Sequence, residues 1–252
     1  MKDLIYKAHK KSNISSLIHV GGHIGQEVNF YNSLNLDKVI YFEPVKEFAD
    51  ELKLKINKFS NFHLHQCALG NENSNKVIYI ADKGKDDDSG STSLLEPRKS
   101  DISFGKRIIE VKKYSSFDYS NIDIAVLDTQ GYELEVLRGF ENKLQTFKFI
   151  IVEFSNFEGY INQTIYKDLN KFINLNNFSF LTQNKKVLKV FKNKNTGSYG
   201  DALYVNNILI NKTSILIGRI KFIILNSIMV DFLIKYTNVT FLKTRVKKLL
   251  QY

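Results

Sequence analysis

Three junctions along this 252-residue chain carry residue types able to do chemistry. The first is Val20-Gly21-Gly22-His23-Ile24-Gly25, directly after a short apolar run. Glycines at such a turn let the backbone bend tightly and approach a ligand with no Cβ in the way. A helix starting just beyond would present free N–H groups to an anionic or polar ligand. The spacing differs from G-x-G-x-x-G, so this is not the dinucleotide fingerprint. The second is Glu43, before Pro44, at the end of the next apolar run and 22 residues after Gly21. An acid at that distance, at the tip of a second strand, is placed to accept hydrogen bonds from two ribose hydroxyls. Together they point to an adenosine-containing cofactor, with NAD and S-adenosylmethionine both admissible on these residues alone.

The third junction is AVLDTQGYELEVLRG, residues 125–139. Its apolar run delivers Asp128 at a strand end, where open α/β sheets place their ligands. A carboxylate ending a buried strand is costly without a partner, so Asp128 binds or caps something. Gly131 permits the turn, and Glu133 and Glu135 fall in the first turn of the next helix, where acids are favoured. Glu153, after Phe149-Ile150-Ile151-Val152, repeats the pattern.

The elements that must position these residues alternate in type. Residues 17–206 pass from short β-like runs to helical patterns and back, the signature of a parallel sheet with helices on its faces. Strands are expected at Leu17–Val20, Val39–Phe42, Phe62–His65, Val77–Ile80, Ile108–Val111, Ile122–Leu127 and Phe149–Val152. Helices are expected near Gln26–Leu34, Lys46–Lys58, Leu134–Phe140 and Ile165–Leu175. Phe178–Leu181, Val187–Phe191 and Ala202–Val205 read as a closing antiparallel set. The long segment Ala81–Gly105 reads as an irregular loop, and loops of that length in compact domains are usually functional or mobile. Its Asp86-Asp87-Asp88 run lacks the ligand spacing of a metal site and reads as solvated.

Composition narrows the class. With 43% apolar and 25% charged residues the chain is an ordinary globular protein, neither a disordered polymer nor a disulfide scaffold. Cys67 is the single cysteine, which suits a reducing compartment. The start lacks the apolar stretch of a secretory signal, and no run approaches the roughly 18–20 apolar residues of a membrane span. A cytoplasmic location is therefore expected. The net charge of +10 is concentrated in residues 208–252, where eight Lys/Arg face one acid, Asp231. The body carries only +3, which weakens a nucleic-acid reading for it. His63 and His65 share one strand face, a spacing that reflects packing more often than ligation. No metal site is expected, the alternative being a divalent ion on Asp128 and Glu153.

Seven ordered blocks now stand out: VGGHIGQE, YFEP, CALG, STSLL, LDTQGYELEVLRGF, IIVEFS and GDALYVN. In this order they resemble the FkbM-type S-adenosylmethionine-dependent methyltransferases, from about Ile18 to Asn207. His19 stands where the family's first block usually has Asp, and Gly22-His23 where it has Ala-Asn. The resemblance implies a class I methyltransferase (Rossmann-like) sheet, α/β, parallel except for one strand. It implies a methyltransferase domain over 1–207 and a basic, apolar-rich helical extension over 208–252. Gly21, Gly22 and Gly25 would line the methionine half of S-adenosyl-L-methionine, and Glu43, with Pro44 behind it, would hold the ribose. Ala68 and Leu69, with Ser91 or Ser93, would flank the adenine. Asp128 would face the methyl-transfer centre. The candidate bases are Asp128 and then Glu153, with Gln130 or Glu133 orienting the acceptor hydroxyl.

The resemblance further implies O-methylation of a sugar, glycan or small hydroxylated metabolite. Three rivals stay in view. A nicotinamide-dependent oxidoreductase lacks its G-x-G-x-x-G. A nucleic-acid methyltransferase of the (N/D)PP(Y/F) type is excluded, because Pro44 and Pro97 are the only prolines. A binding protein that kept the fold without catalysis rests only on the His19 departure. The tail reads either as one or two helices covering the catalytic domain or a partner subunit, or as a basic amphipathic surface touching anionic membrane.

Overall fold

A computed structural model describes residues 1–82, 88–98, 103–189 and 196–210. Asp86 and Asp87, and the extension from residue 211 onward, lie outside the described residues. The chain runs α1 (Lys2–Ser12), β1 (Ser16–Val20), α2 (Val28–Ser33), β2 (Lys38–Phe42), α3 (Lys46–Ile56) and β3 (Phe62–His65). It continues through β4 (Ala68–Leu69), β5 (Ser74–Ala81), β6 (Phe104–Lys112), β7 (Ile124–Leu127), α4 (Glu133–Gly139) and β8 (Phe149–Ser155). It closes with α5 (Tyr166–Leu175), β9 (Phe178–Lys189) and β10 (Thr196–Asn206).

Seven strands form the main sheet in the order β3-β2-β1-β7-β8-β10-β9. β1, β2, β3, β7 and β8 are mutually parallel, and β10 lies antiparallel to both β8 and β9. This is the class I methyltransferase, Rossmann-like arrangement. The central strands SLIHV and IAVL are buried at every position, as strands covered on both faces must be. Their alternating side chains feed two cores. Leu17, Val39, Val126 and Ile151 pack with Leu4 and Ile5 of α1, Tyr31 of α2 and Leu52 of α3. Ile18, Ile40, Leu127 and Val152 pack with Leu137 of α4 and Leu169 and Ile173 of α5. β4, β6 and β5 form a separate three-stranded sheet beside the strand tips.

Register is what assembles the site. Val20 lies beside Phe42 and Leu127, and Leu127 beside Val152. Glu43, Gly21, Asp128 and Glu153 are therefore the next residues on four adjacent strands, one row at the carboxyl edge of the sheet.

Three differences from the sequence expectations have physical reasons. α1 was not expected, since it offers only a narrow apolar stripe, yet Leu4, Ile5 and Ala8 are wholly buried by the sheet. Among the described residues the closing set is two long strands rather than three short ones, and Val190 and Phe191 of the expected second strand lie outside them. The described residues of the 81–105 segment are less irregular than expected: β5 and β6 reach into it, residues 88–91 form a 3₁₀ turn, and Ser93 pairs with Tyr79. Among the described residues no helix is long and apolar enough to cross a membrane.

Candidate active site

A cleft of about 340 Å³ opens over the row of strand tips. Small-molecule sites generally occupy roughly 300–1,000 Å³. Gly21 forms its floor at φ +86°, and a Cβ there would lie 1.9 Å from the Asp128 carbonyl oxygen. Only glycine lets β1 and β7 meet so closely before diverging. Gly22 and Gly25 do not line the cleft. They sit behind it, where an added Cβ would meet Tyr41 at 2.8 Å or Leu52 at 2.5 Å.

Glu43 is 4% exposed, and its two oxygens accept hydrogen bonds from the His23 and Val45 backbone N–H groups, each at 2.8 Å. Those bonds fix the carboxylate in the cleft wall beside Pro44 and leave further lone pairs for a ligand. Burial pushes its pKa up to about 7, against the opposing pull of the two amides.

Ala68 and Leu69 of β4 line the cleft, as does Ser93. The Ser93 hydroxyl donates to the Gln130 carbonyl (2.8 Å) and accepts from the Leu95 N–H (3.1 Å), so it ties the cleft's rim to the β7–α4 turn. Ser91 is not a lining residue; its carbonyl accepts from the Tyr160 hydroxyl at 2.7 Å. Its neighbours Gly90 and Thr92 face the cleft instead, with Phe48 and Ile78, which carried no sequence signal. Phe48 comes from the first turn of α3 and Ile78 from the small sheet, a meeting that only tertiary structure decides.

At the far end of the row the β7–α4 turn is held in an unusual backbone conformation, with Gln130 at φ 52° and Gly131 at φ 99°. Gln130 thereby turns back, and its Nε2 donates to both Asp128 Oδ1 (2.9 Å) and Glu153 Oε2 (2.7 Å). Burial raises the pKa of both carboxyls, and the Asp128 charge raises that of Glu153 further. Two carboxylates so close resist joint ionisation, so the pair retains a proton more readily than isolated acids would. Glu133 has another task. It is 3% exposed, and its Oε1 accepts from the Thr129 and Gly131 N–H groups (3.0 and 3.1 Å) and the Thr129 hydroxyl (3.1 Å). It is a strut of the turn, and burial pushes its pKa up to about 7.

A second cavity of about 200 Å³ meets the first at Gln130. Glu133, Glu153, Phe157, Tyr160 and Tyr199 are among its walls. Asp128 thus faces the first cavity and Glu153 the second. The rims are laced together: Tyr160 bonds to Ser91, the Ile161 N–H to the Glu96 carbonyl (2.8 Å), the Arg98 N–H to the Gly159 carbonyl (3.0 Å), and Arg98 pairs with Glu158. Gln163 anchors the loop, accepting from the Gly159 N–H at 2.7 Å and donating to Ser155.

The remaining chemical candidates are structural. His65 stacks on Phe42, with ring centroids 5.0 Å apart, and bonds to the Tyr119 hydroxyl at 2.7 Å, while His63 is exposed. Cys67 is buried, and burial pushes its thiol up to about 12. Among the described residues no group of three or more His, Cys, Asp or Glu side chains is placed to hold a metal ion.

The sheet order and a cleft over its carboxyl edge define a class I methyltransferase fold. Residues 19–180 match the methyltransferase FkbM domain, and the chain belongs to that family, whose methyl donor is S-adenosylmethionine. No curated protein matches it. Among solved structures, methyltransferase FkbM from Methylobacillus flagellatus KT is 15% identical over 77% of this chain, with a TM-score of 0.47. This chain spans 44% of that protein's length. Magnesium protoporphyrin IX methyltransferase from Synechocystis PCC 6803, with bound SAM, is 10% identical over 81% of this chain and 76% of its own, with a TM-score of 0.48. TrmK from M. capricolum, in complex with S-adenosyl-homocysteine, is 12% identical over 99% and 96% of the two chains, with a TM-score of 0.43.

The residues present fit the cofactor. A glycine floor without Cβ atoms suits close backbone approach, and the buried Glu43 carboxylate suits a pair of ribose hydroxyls. The carboxyls facing the cleft suit a cationic ligand.

Proposed function

We propose that this protein is an S-adenosylmethionine-dependent O-methyltransferase whose acceptor is a hydroxyl of a sugar, glycan or small hydroxylated metabolite. One observation carries the reading: Gln130 holds Asp128 and Glu153 together at the wall where the two cavities meet. A donor in the first cavity and a hydroxyl in the second would approach each other there. When bound, the cofactor supplies an electrophilic methyl on a positively charged sulfur. The Glu43 carboxylate would accept from the ribose hydroxyls, and the Gly21 turn would admit the amino-acid half.

Asp128, on the first cavity's side, would offer negative charge to a cationic donor held there. Glu153, on the second cavity's side, would receive the proton that an acceptor hydroxyl gives up on methylation. Burial and the neighbouring Asp128 charge raise the Glu153 pKa above the ordinary carboxylate range, which makes its anion a stronger proton acceptor. Gln130 holds both carboxyls in place by donating to each. The acidic wall disfavours phosphate-rich acceptors, which supports a sugar-like acceptor over nucleic acid. Tyr160, Tyr199 and Phe157 give such an acceptor apolar faces to lie against. The reading is of a cytoplasmic enzyme.

The test is methylation of a panel of sugars and hydroxylated metabolites with labelled cofactor, using wild type, Glu153→Gln and Asp128→Asn. Glu153→Gln is expected to lower turnover by roughly 10²–10⁴-fold while S-adenosylhomocysteine binds as before. Unchanged turnover in Glu153→Gln would remove Glu153 as the base.

A further inference from the structure

The sequence singled out His19 only as a departure from the family's pattern, and nothing in the proposed reaction uses it. It is 2% exposed, at the end of β1, in the wall of the cofactor cleft. Its Nδ1 meets the hydroxyl of Tyr31 at 3.0 Å, and its Nε2 has no hydrogen-bond partner. Tyr31 is itself fully buried. Were Nδ1 to carry the proton and donate, the Tyr31 hydroxyl hydrogen would need a second acceptor in the core. The economical arrangement has Tyr31 donating to Nδ1, which puts the imidazole proton on Nε2. Burial pushes the His19 pKa down to about 4, so the ring is neutral and the assignment holds at physiological pH.

An orphaned N–H in a buried position calls for a partner. Tyr41, the nearby residue whose hydroxyl also lacks one, has its ring centroid 5.6 Å away and does not supply it. The cleft's other donors are largely engaged. The N–H group of Gly21 bonds to the Phe42 carbonyl and that of His23 to Glu43. Thr129 gives both its N–H and its hydroxyl to Glu133. Acids are plentiful by contrast: Glu27 and Asp128 face the cleft and would draw an ammonium group. The cofactor's amino-acid end carries an ammonium and a carboxylate. The carboxylate needs a donor, and the His19 Nε2–H is one that the cleft wall leaves without a partner.

We infer that His19 donates its Nε2–H to the α-carboxylate of the bound cofactor and thereby reads the amino-acid end of the ligand. This rests on the assignment of the cleft to S-adenosylmethionine. The family's usual Asp at this position could only accept, so the histidine reverses the hydrogen-bond polarity here.

The test compares calorimetric affinities of wild type, His19→Phe and His19→Gln for S-adenosylhomocysteine, its decarboxylated analogue and methylthioadenosine. Wild type is expected to bind S-adenosylhomocysteine more tightly than the decarboxylated analogue. His19→Phe is expected to lose roughly 10–100-fold for S-adenosylhomocysteine alone, the range for hydrogen bonds to charged groups, and His19→Gln to recover part of it. Equal weakening for all three ligands, or no weakening, overturns the inference. Nitrogen-labelled histidine spectra of the wild type decide it even if a variant fails to fold. The expected result is a neutral His19 protonated on Nε2, shifting with S-adenosylhomocysteine and not with methylthioadenosine. A proton on Nδ1 overturns the inference and leaves the cofactor reading standing. A wild type that binds none of the three ligands overturns both.

Discussion

Cofactor binding should release a proton, and Glu43 should be its source. In the unliganded protein this carboxyl is held up to about 7 by burial, against an ordinary 4.5. Two ribose hydroxyls donating to it would favour the anion and return it toward the ordinary value. With a free value near 7 and a bound value near 4.5, affinity at pH 6 should be about tenfold weaker than at pH 8. Binding at pH 6 should release about 0.9 proton, falling to about 0.1 at pH 8. The sign for stability follows the same group. The folded state holds this proton more tightly than the unfolded chain, so its contribution is fullest below about pH 4.5 and declines as pH rises toward 7.

The assay is calorimetric titration with S-adenosylhomocysteine in buffers of different ionisation enthalpy, wild type against Glu43→Gln. The glutamine keeps one acceptor oxygen and turns an NH₂ toward either the His23 or the Val45 amide, where two donors conflict. Loss of a charged acceptor should cost about 1.5–3 kcal/mol of affinity, and the Glu43 share of the pH dependence should vanish. If Glu43→Gln released as many protons at pH 6 as wild type, the ribose assignment would be wrong.

Glu133→Gln should stabilise the protein at pH 8, because the amide oxygen can keep the three bonds of Oε1 without ionising a group raised to about 7. The gain should reach about 1–3 kcal/mol in urea denaturation and disappear near pH 4; an unchanged midpoint at pH 8 refutes it. Gly21→Ala should destabilise by at least about 2 kcal/mol, since its Cβ would fall 1.9 Å from a carbonyl oxygen. Gly90→Ala, with nothing within 4 Å of its Cβ, should stay within about 0.5 kcal/mol, and equal effects would contradict the packing argument. Hydrogen exchange on adding S-adenosylhomocysteine should slow at residues 157–163 as well as 88–98, and Tyr160→Phe should weaken the distal protection. Protection confined to 88–98 would show that the two rims move separately.

The strand-tip acids were legible because each ends an uninterrupted apolar run, and a carboxyl there has few purely structural uses. Glu43, Asp128 and Glu153 therefore marked the edge of the sheet before any coordinates did. The same logic could not separate a reactive acid from a strut: Glu133 looks like its neighbours in sequence, and only its three donors reveal its task. Ser91 and Ser93 sit in a loop where Gly90, Thr92, Ser93 and Leu94 line the cleft and Ser91 does not, a facing that no sequence period predicts. α1 escaped notice because Leu4, Ile5 and Ala8 make a narrow stripe among lysines, which the sheet rather than propensity stabilises. The second cavity draws Tyr199 from β10 and Tyr160 from the loop after β8, a meeting that antiparallel closure creates and no local pattern announces.

If the rims move together, the lacing of residues 88–98 to 157–163 makes the two cavities energetically reciprocal. A ligand that stiffens one rim lowers the ordering cost that the other must meet, with no contact between the two ligands. By thermodynamic linkage, any factor by which the cofactor improves acceptor binding is the factor by which the acceptor retains the cofactor. Loss of the methyl group and its charge changes what the first cavity holds, and the laced rims let the second cavity feel that change. Turnover would then dissolve the cooperation that assembled the complex, and the methylated product would leave a site already loosening around it.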